Sequence, residues 1–101
     1  MKTLQATDVS ELYKDEGECV LFLTTPLCGT CMVARKFLTI VDHMESMPPI
    51  GEVDINYIPE LAQEWEVTSV PCLLVIKNGR PTKRLYAFQS VATVVEFLQE
   101  A

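Results

Sequence analysis

Apolar positions along this chain fall into two kinds of run. Cys19 to Thr24 and Cys72 to Ile76 are short and continuous, whereas other stretches repeat apolar residues at three- and four-residue spacing. Continuous runs of that length predict strands covered on both faces, and spaced runs predict helices with one buried face. The pattern begins with a short edge strand at Leu4 to Ala6. A helix capped by Thr7 or Asp8 follows, with Val9, Leu12 and Tyr13 inward, and Asp15-Glu16-Gly17-Glu18 forms a polar turn. Strand Cys19 to Thr24 ends at Pro26, which has no N–H for a ladder. From Met32 to Met44 a second helix is expected to bury Val33, Phe37, Ile40, Val41 and Met44, with Arg35, Lys36 and Asp42 facing water. Met47-Pro48-Pro49 must interrupt it.

Ile50 to Ile55 alternates as a strand, with Val53 and Ile55 on one face and Glu52 and Asp54 on the other. Asn56 is expected to cap a short helix, Ile58 to Trp65, with Pro59 in its first turn and Trp65 anchoring it on the core. Glu60, Glu64 and Glu66 read as a solvated acidic face. A loop from Glu66 to Ser69 leads into Val70-Pro71, then strand Cys72 to Ile76. An Asn78-Gly79 hairpin returns Thr82 to Ala87 antiparallel. Ser90 caps a closing helix bearing Val91, Val94, Val95, Phe97 and Leu98. The order β-α-β-α-β-α-β-β-α predicts an α/β fold, a mixed central β-sheet flanked by helices on both faces, in a single domain over residues 1–101.

Composition narrows the function. With 49% hydrophobic and 22% charged residues the chain is an ordinary globular sequence, not a disordered one. A net charge of −6 argues against a nucleic-acid or anionic-membrane surface. The first residues carry no apolar signal-peptide core, and no apolar stretch is of membrane-spanning length, so a cytoplasmic monomer is expected. There, four cysteines are not a structural staple, and a close pair serves redox chemistry or metal binding.

That pair lies in Thr24-Thr25-Pro26-Leu27-Cys28-Gly29-Thr30-Cys31, between a strand and a helix. A helix starting at Cys28 aims unpaired N–H groups at its sulfur and favours the thiolate, which is the nucleophile. Cys72 follows Pro71 and reads as a buried inert thiol, with a third redox thiol as the sharper alternative; Cys19 reads as a packing residue. Cys28, Cys31 and Cys72 would also supply three thiolates to Zn²⁺ or an iron–sulfur cluster. No second Cys-x-x-Cys exists, and the single histidine, His43, falls far down the helix, so no metal is assigned. Thr25-x-x-Cys28 fits the short Thr-x-x-Cys element of peroxiredoxins, but Leu21 stands where those enzymes need proline.

From about Val9 to Leu98 the chain resembles a thioredoxin. The resemblance is carried by Cys28-Gly29-x-Cys31, Val53-Asp54-Ile55-Asn56, Val67-x-Ser69-Val70-Pro71, the Leu73 to Gly79 strand and turn, and the closing helix. It implies a thioredoxin-like fold and a thiol–disulfide oxidoreductase. Cys28 attacks a substrate disulfide, Cys31 resolves the mixed disulfide, and Leu27, Gly29 and Thr30 complete the active-site loop. It also implies a cis Val70–Pro71 bond facing the pair, with the Val70 backbone exposed for strand-like pairing with substrate. No organic cofactor is implied, because the dithiol carries two electrons. The implied partners are disulfide-bearing proteins or small molecules and a reductase, either a thioredoxin reductase or a low-molecular-weight thiol.

The chain departs from the family around the sulfurs. Leu27 replaces the usual Trp, Thr30 the Pro inside the pair, Met32 a basic residue, Lys36 the mid-helix Pro, Ala87 a groove-lining Gly, and Cys72 a Thr. Phe22 occupies the place of the buried acid and Glu52 that of its lysine partner. Glu52 is therefore a candidate substitute base for Cys31, beside the plainer reading of a solvated strand-end carboxylate. These changes point to a specialised thioredoxin-like reductant. The alternative is a thioredoxin-fold adaptor whose cysteine pair is idle or metal-loaded.

Overall fold

The computed structural model describes residues 1–14 and 17–99. In chain order the elements are β1 (Lys2–Thr3), α1 (Ala6–Lys14), β2 (Glu18–Thr24), α2 (Gly29–Asp42), β3 (Ile50–Asp54), α3 (Pro59–Glu64), β4 (Cys72–Lys77), β5 (Arg80–Leu85) and α4 (Val91–Gln99). A 3₁₀ turn, Ile55–Tyr57, joins β3 to α3. The strands form one sheet in the order β1-β3-β2-β4-β5. Strand β2, apolar from Cys19 to Leu23, lies at its centre, parallel to β3 and antiparallel to β4.

Strand alternation sorts the core into two faces. Leu21 and Leu23 of β2 join Val53, Cys72, Leu74 and Ile76 beneath Val9 of α1 and Trp65. Val20 and Phe22 point the other way, with Ile50, Leu73 and Val75, against Cys31, Ala34, Leu38 and Val41 of α2 and Val94 of α4. Burying side chains of this size stabilises the fold by roughly 1.5–3 kcal/mol each. Trp65 is 1% exposed and anchors the end of α3, as expected. Asn78 and Gly79 both have positive φ, 52° and 77°, as a two-residue hairpin turn requires. The Ser90 hydroxyl accepts the Thr93 N–H at 3.1 Å and caps α4.

Several expectations are corrected. The opening strand is Lys2–Thr3, and Leu4 is a core residue whose N–H still reaches the Glu52 carbonyl at 2.8 Å. Neither Thr7 nor Asp8 is the cap of α1. Asp8 sits inside the helix and its carboxylate accepts the Gln5 N–H at 2.8 Å, which fixes the start at Ala6. Asp15 and Glu16 of the expected turn, and the side chains of Leu12 and Tyr13, lie outside the described residues.

The second helix begins at Gly29 and ends at Asp42, well before Pro48. Its buried stripe is Cys31, Ala34, Leu38 and Val41, whereas Val33, Ile40 and Met44 are exposed. Both stripes have helical spacing; the sheet selects the one continuous with the cysteine. Asp42 does not face open water, because its carboxylate accepts the Ile50 N–H at 3.1 Å. Burial pushes its carboxyl up, but the hydrogen bonds from Ile50 and the N-terminal ammonium, with that ammonium's charge and His43, outweigh this and hold it below the usual value. Strand β3 stops at Asp54, so Ile55 falls in the 3₁₀ turn, and that turn is capped by Asp54 accepting the Asn56 N–H at 2.9 Å. Asn56 therefore caps nothing, and α3 starts after Ile58 without a side-chain cap. The returning strand is Arg80–Leu85, two residues earlier than Thr82 to Ala87.

Candidate active site

Central strand β2 delivers the chain to one end of the sheet, and Pro26 and Leu27 carry it clear of the ladder. Leu27 is 99% exposed. Cys28 is the N-cap of α2, extended at φ −101° and ψ 105°. A cap side chain faces the unpaired N–H groups of the first turn. Cys31 N–H accordingly donates to Cys28 Sγ at 3.1 Å. Cys28 and Cys31 are disulfide-bonded, with Cα atoms 5.2 Å apart. The bonded sulfur carries no proton, so the Thr30 hydroxyl, 3.3 Å away, is the donor in its contact with Cys28 Sγ. A proline at this position would supply neither that hydroxyl nor a backbone N–H.

The two sulfurs differ in access. Cys28 is half-buried, and Cys31 is 1% exposed within the cluster beneath α2. A Cβ added at Gly29 would meet nothing within 4 Å, so the rim is open at that residue.

Beside the disulfide lies a groove of about 380 Å³ lined by Thr30, Val33, Val70, Pro71, Tyr86 and Phe88, among others. The Val70–Pro71 bond is cis. The expected Val70 and Pro71 are thus brought to Thr30. Ala87 is exposed, and its neighbours Tyr86 and Phe88 line the groove instead. Sequence reasoning passed over Phe88; its signal was an aromatic two residues beyond Tyr86. A larger concavity, about 430 Å³ beside Trp65, Asn78, Gly79 and Arg80, holds no cysteine.

Loop 65–70, which leads into the groove, is held from β5 and the residue after it. Arg84 Nε and Nη2 donate to the Trp65 carbonyl at 3.0 and 2.6 Å, and the Tyr86 hydroxyl accepts the Thr68 N–H at 3.3 Å. The loop begins with a Schellman motif. Val67 N–H reaches Ala62 O, Glu66 N–H reaches Gln63 O, both at 3.0 Å, and Glu66 has φ 57°.

Cys72 is fully buried on the opposite sheet face from Cys31. Burial pushes its thiol up to about 11, with the Tyr86 hydroxyl and the Arg84 charge opposing. Cys28, Cys31 and Cys72 therefore do not converge. Among the described residues, no three or more His, Cys, Asp or Glu side chains gather to hold a metal ion.

Where the family carries its buried acid, Phe22 is fully buried, edge-on to Phe88 with ring centroids 6.1 Å apart. Glu52 is its partner on β3. Arg35 does not face water alone. Its Nε and Nη2 donate to the two carboxylate oxygens of Glu52 at 2.9 Å each, and its guanidinium carbon lies 6.0 Å from the Phe22 ring centroid. The hydrogen bond to Glu52 raises the Arg35 pKa; burial opposes that rise.

Comparison with known proteins agrees with this geometry. The thioredoxin family model matches residues 2–100. Thioredoxin-like protein YusE of Bacillus subtilis is 37% identical over 100 residues, covering 99% of this chain and 92% of that protein. Among solved structures, Trxlp from Edwardsiella tarda superposes with a TM-score of 0.79 at 14% identity, covering 98% of both chains. Thioredoxin from Fasciola hepatica gives 0.77 at 21% identity, covering 97% of this chain and 96% of that one. The fold is thus thioredoxin-like, and with the family model matched almost from end to end the chain belongs to the thioredoxin family and is a thiol–disulfide oxidoreductase.

Proposed function

We propose that the protein is a specialised cytoplasmic thioredoxin-like reductant in cell redox homeostasis, working as one domain over residues 1–101. Cys28 thiolate attacks a disulfide sulfur of the substrate and forms a mixed disulfide, releasing the first substrate thiolate. Cys31, its proton passing to the released substrate thiolate, then attacks Cys28 Sγ. The Cys28–Cys31 bond closes and the second substrate thiolate leaves, so two electrons pass to the substrate. A thioredoxin reductase or a low-molecular-weight thiol returns them; the dithiol is the carrier, and no organic cofactor or metal enters the scheme.

One observation carries this assignment of roles. Cys28 is the accessible sulfur and holds the N-cap, with the Cys31 N–H and the Thr30 hydroxyl aimed at it, while Cys31 is buried behind it. Donors aimed at a sulfur favour its thiolate. Disulfide-bearing proteins are the proposed substrates, docking over Leu27 and into the groove at Val70 and Pro71. Reduction of insulin by dithiothreitol tests the assignment: the wild-type protein accelerates it, and Cys28→Ser reduces it to the uncatalysed rate. Equal rates for the two would overturn it. The adaptor reading draws on Leu27, Met32 and Val33, which expose apolar surface around the pair at 99%, 63% and 50%; the same equality would favour it.

A further inference from the structure

The Arg35–Glu52 ion pair is built against the core cluster that holds Cys31. Arg35 lies one helical turn beyond Cys31 on α2, where side chains at this spacing are neighbours about 5–6 Å apart at Cβ. Glu52 lies opposite Phe22, and Phe22 belongs to the same cluster as Cys31. The pair spans from α2 to β3 across the Phe22 ring. The Glu52 side chain is 19% exposed and that of Arg35 40%, so part of its field passes through protein rather than water.

We propose that Arg35 and Glu52 are opposed positioning residues that set the reduction potential of the Cys28–Cys31 couple, each half biasing it in the opposite direction. This rests on the exchange reaction above. Reduction adds two electrons to the disulfide. With Cys31 taking a proton and Cys28 remaining a thiolate, one negative charge appears at the sulfurs. A nearby cation favours that charge and the reduced form; a nearby anion disfavours both. As built, the two fields largely cancel. Removing Glu52 leaves the guanidinium uncompensated and favours the dithiol. Removing Arg35 leaves the carboxylate and favours the disulfide. Other charged groups of these elements are common to every variant: Lys36 is exposed on α2, Asp42 at the end of α2 pairs with the N-terminal ammonium at 3.0 Å, and the Asp54 carboxylate accepts the Asn56 N–H. Arg84 serves the opposite face of the sheet. An ion pair that merely ties α2 to β3 would not produce shifts of opposite sign.

The test equilibrates wild type, Glu52→Gln, Arg35→Gln and the double variant with defined mixtures of reduced and oxidised glutathione at one pH, and counts free thiols after quenching. Glu52→Gln is expected to shift the equilibrium constant toward dithiol by about three- to tenfold, and Arg35→Gln toward disulfide by as much. Tenfold corresponds to about 30 mV. The double variant returns to within about twofold of wild type, as does Arg35→Lys, which keeps the cation. Arg35→Met and Glu52→Leu replace any Gln variant that does not fold. Shifts of the same sign in both single variants, or none beyond about twofold, would overturn the proposal. A wild-type pair that never exchanges with glutathione would instead overturn the exchange reading, and this inference with it.

Discussion

Cys31 and Cys72 are equally hidden, at 1% and 0% exposure, on opposite faces of the same sheet. Cys31 sits in the first turn of α2, bonded to a half-buried sulfur at the helix cap and close to an ion pair. Cys72 sits in mid-cluster between Leu23 and the residues around Trp65, its thiol raised by burial. Burial alone therefore does not set a thiol's chemistry here. What separates the two is the set of dipoles at the end of α2, which the α2 face has and the α1–α3 face lacks at Cys72. The second face serves instead as a platform: Arg84 and Tyr86 hold backbone there, and their opposition to the effect of burial on Cys72 is the smaller one.

Three perturbations probe that contrast. The largest acts on Cys72. Its thiol lies near 11 in the fold against an ordinary value of 9.0. Between these values the unfolded chain has lost the proton that the folded chain keeps, so stability falls as pH rises through the window, by up to about 3 kcal/mol. Urea unfolding at about pH 8 and pH 10.5 should show this loss in wild type. In Cys72→Val the additional loss should vanish, while insulin reduction at neutral pH stays within about twofold. A large loss of activity in that variant would place chemistry on both faces and break the contrast.

Next in size is Thr30→Val, which removes the hydroxyl at Cys28 and preserves shape. A hydrogen bond to a charged group contributes about 1.5–3 kcal/mol. The Cys28 pKa, followed by thiolate absorbance, should therefore rise by about one unit or more, with slower attack on disulfides at neutral pH and little change in unfolding midpoint. An unchanged pKa would assign the whole effect to the helix end.

Smallest is Glu66→Gly on the platform side. The left-handed φ of 57° at Glu66 strains any side chain, and glycine should raise stability by about 1 kcal/mol without altering Cys28 reactivity. A change in reactivity would show that the loop entering Pro71 tunes the chemistry.

Strands β2 and β4 were legible because they are uninterrupted apolar runs, whose pattern survives any choice of face. The redox pair and Val70-Pro71 were legible because their motif is local. The face of α2 was not: Val33, Phe37, Ile40 and Met44 make as good a helical stripe as Cys31, Ala34, Leu38 and Val41, and periodicity cannot say which one meets a sheet. The Arg35–Glu52 pair was hidden for a related reason. It joins residues seventeen positions apart, and each alone reads as an ordinary solvated charge. Element ends slipped where side chains compete for backbone N–H groups, as Asp8 does at Gln5 and Asp54 at Asn56.

The order of the strands has a consequence for how these molecules behave toward one another. An open sheet exposes two edges on which a second chain can build, the route to fibrous aggregates. Here one border is β1, only two residues long. The other is β5, which carries Arg80, Lys83 and Arg84, contains Pro81 with no N–H to offer, and pairs through an irregular register near Val75 and Ile76. A short border and a charged, proline-interrupted one both resist templated growth.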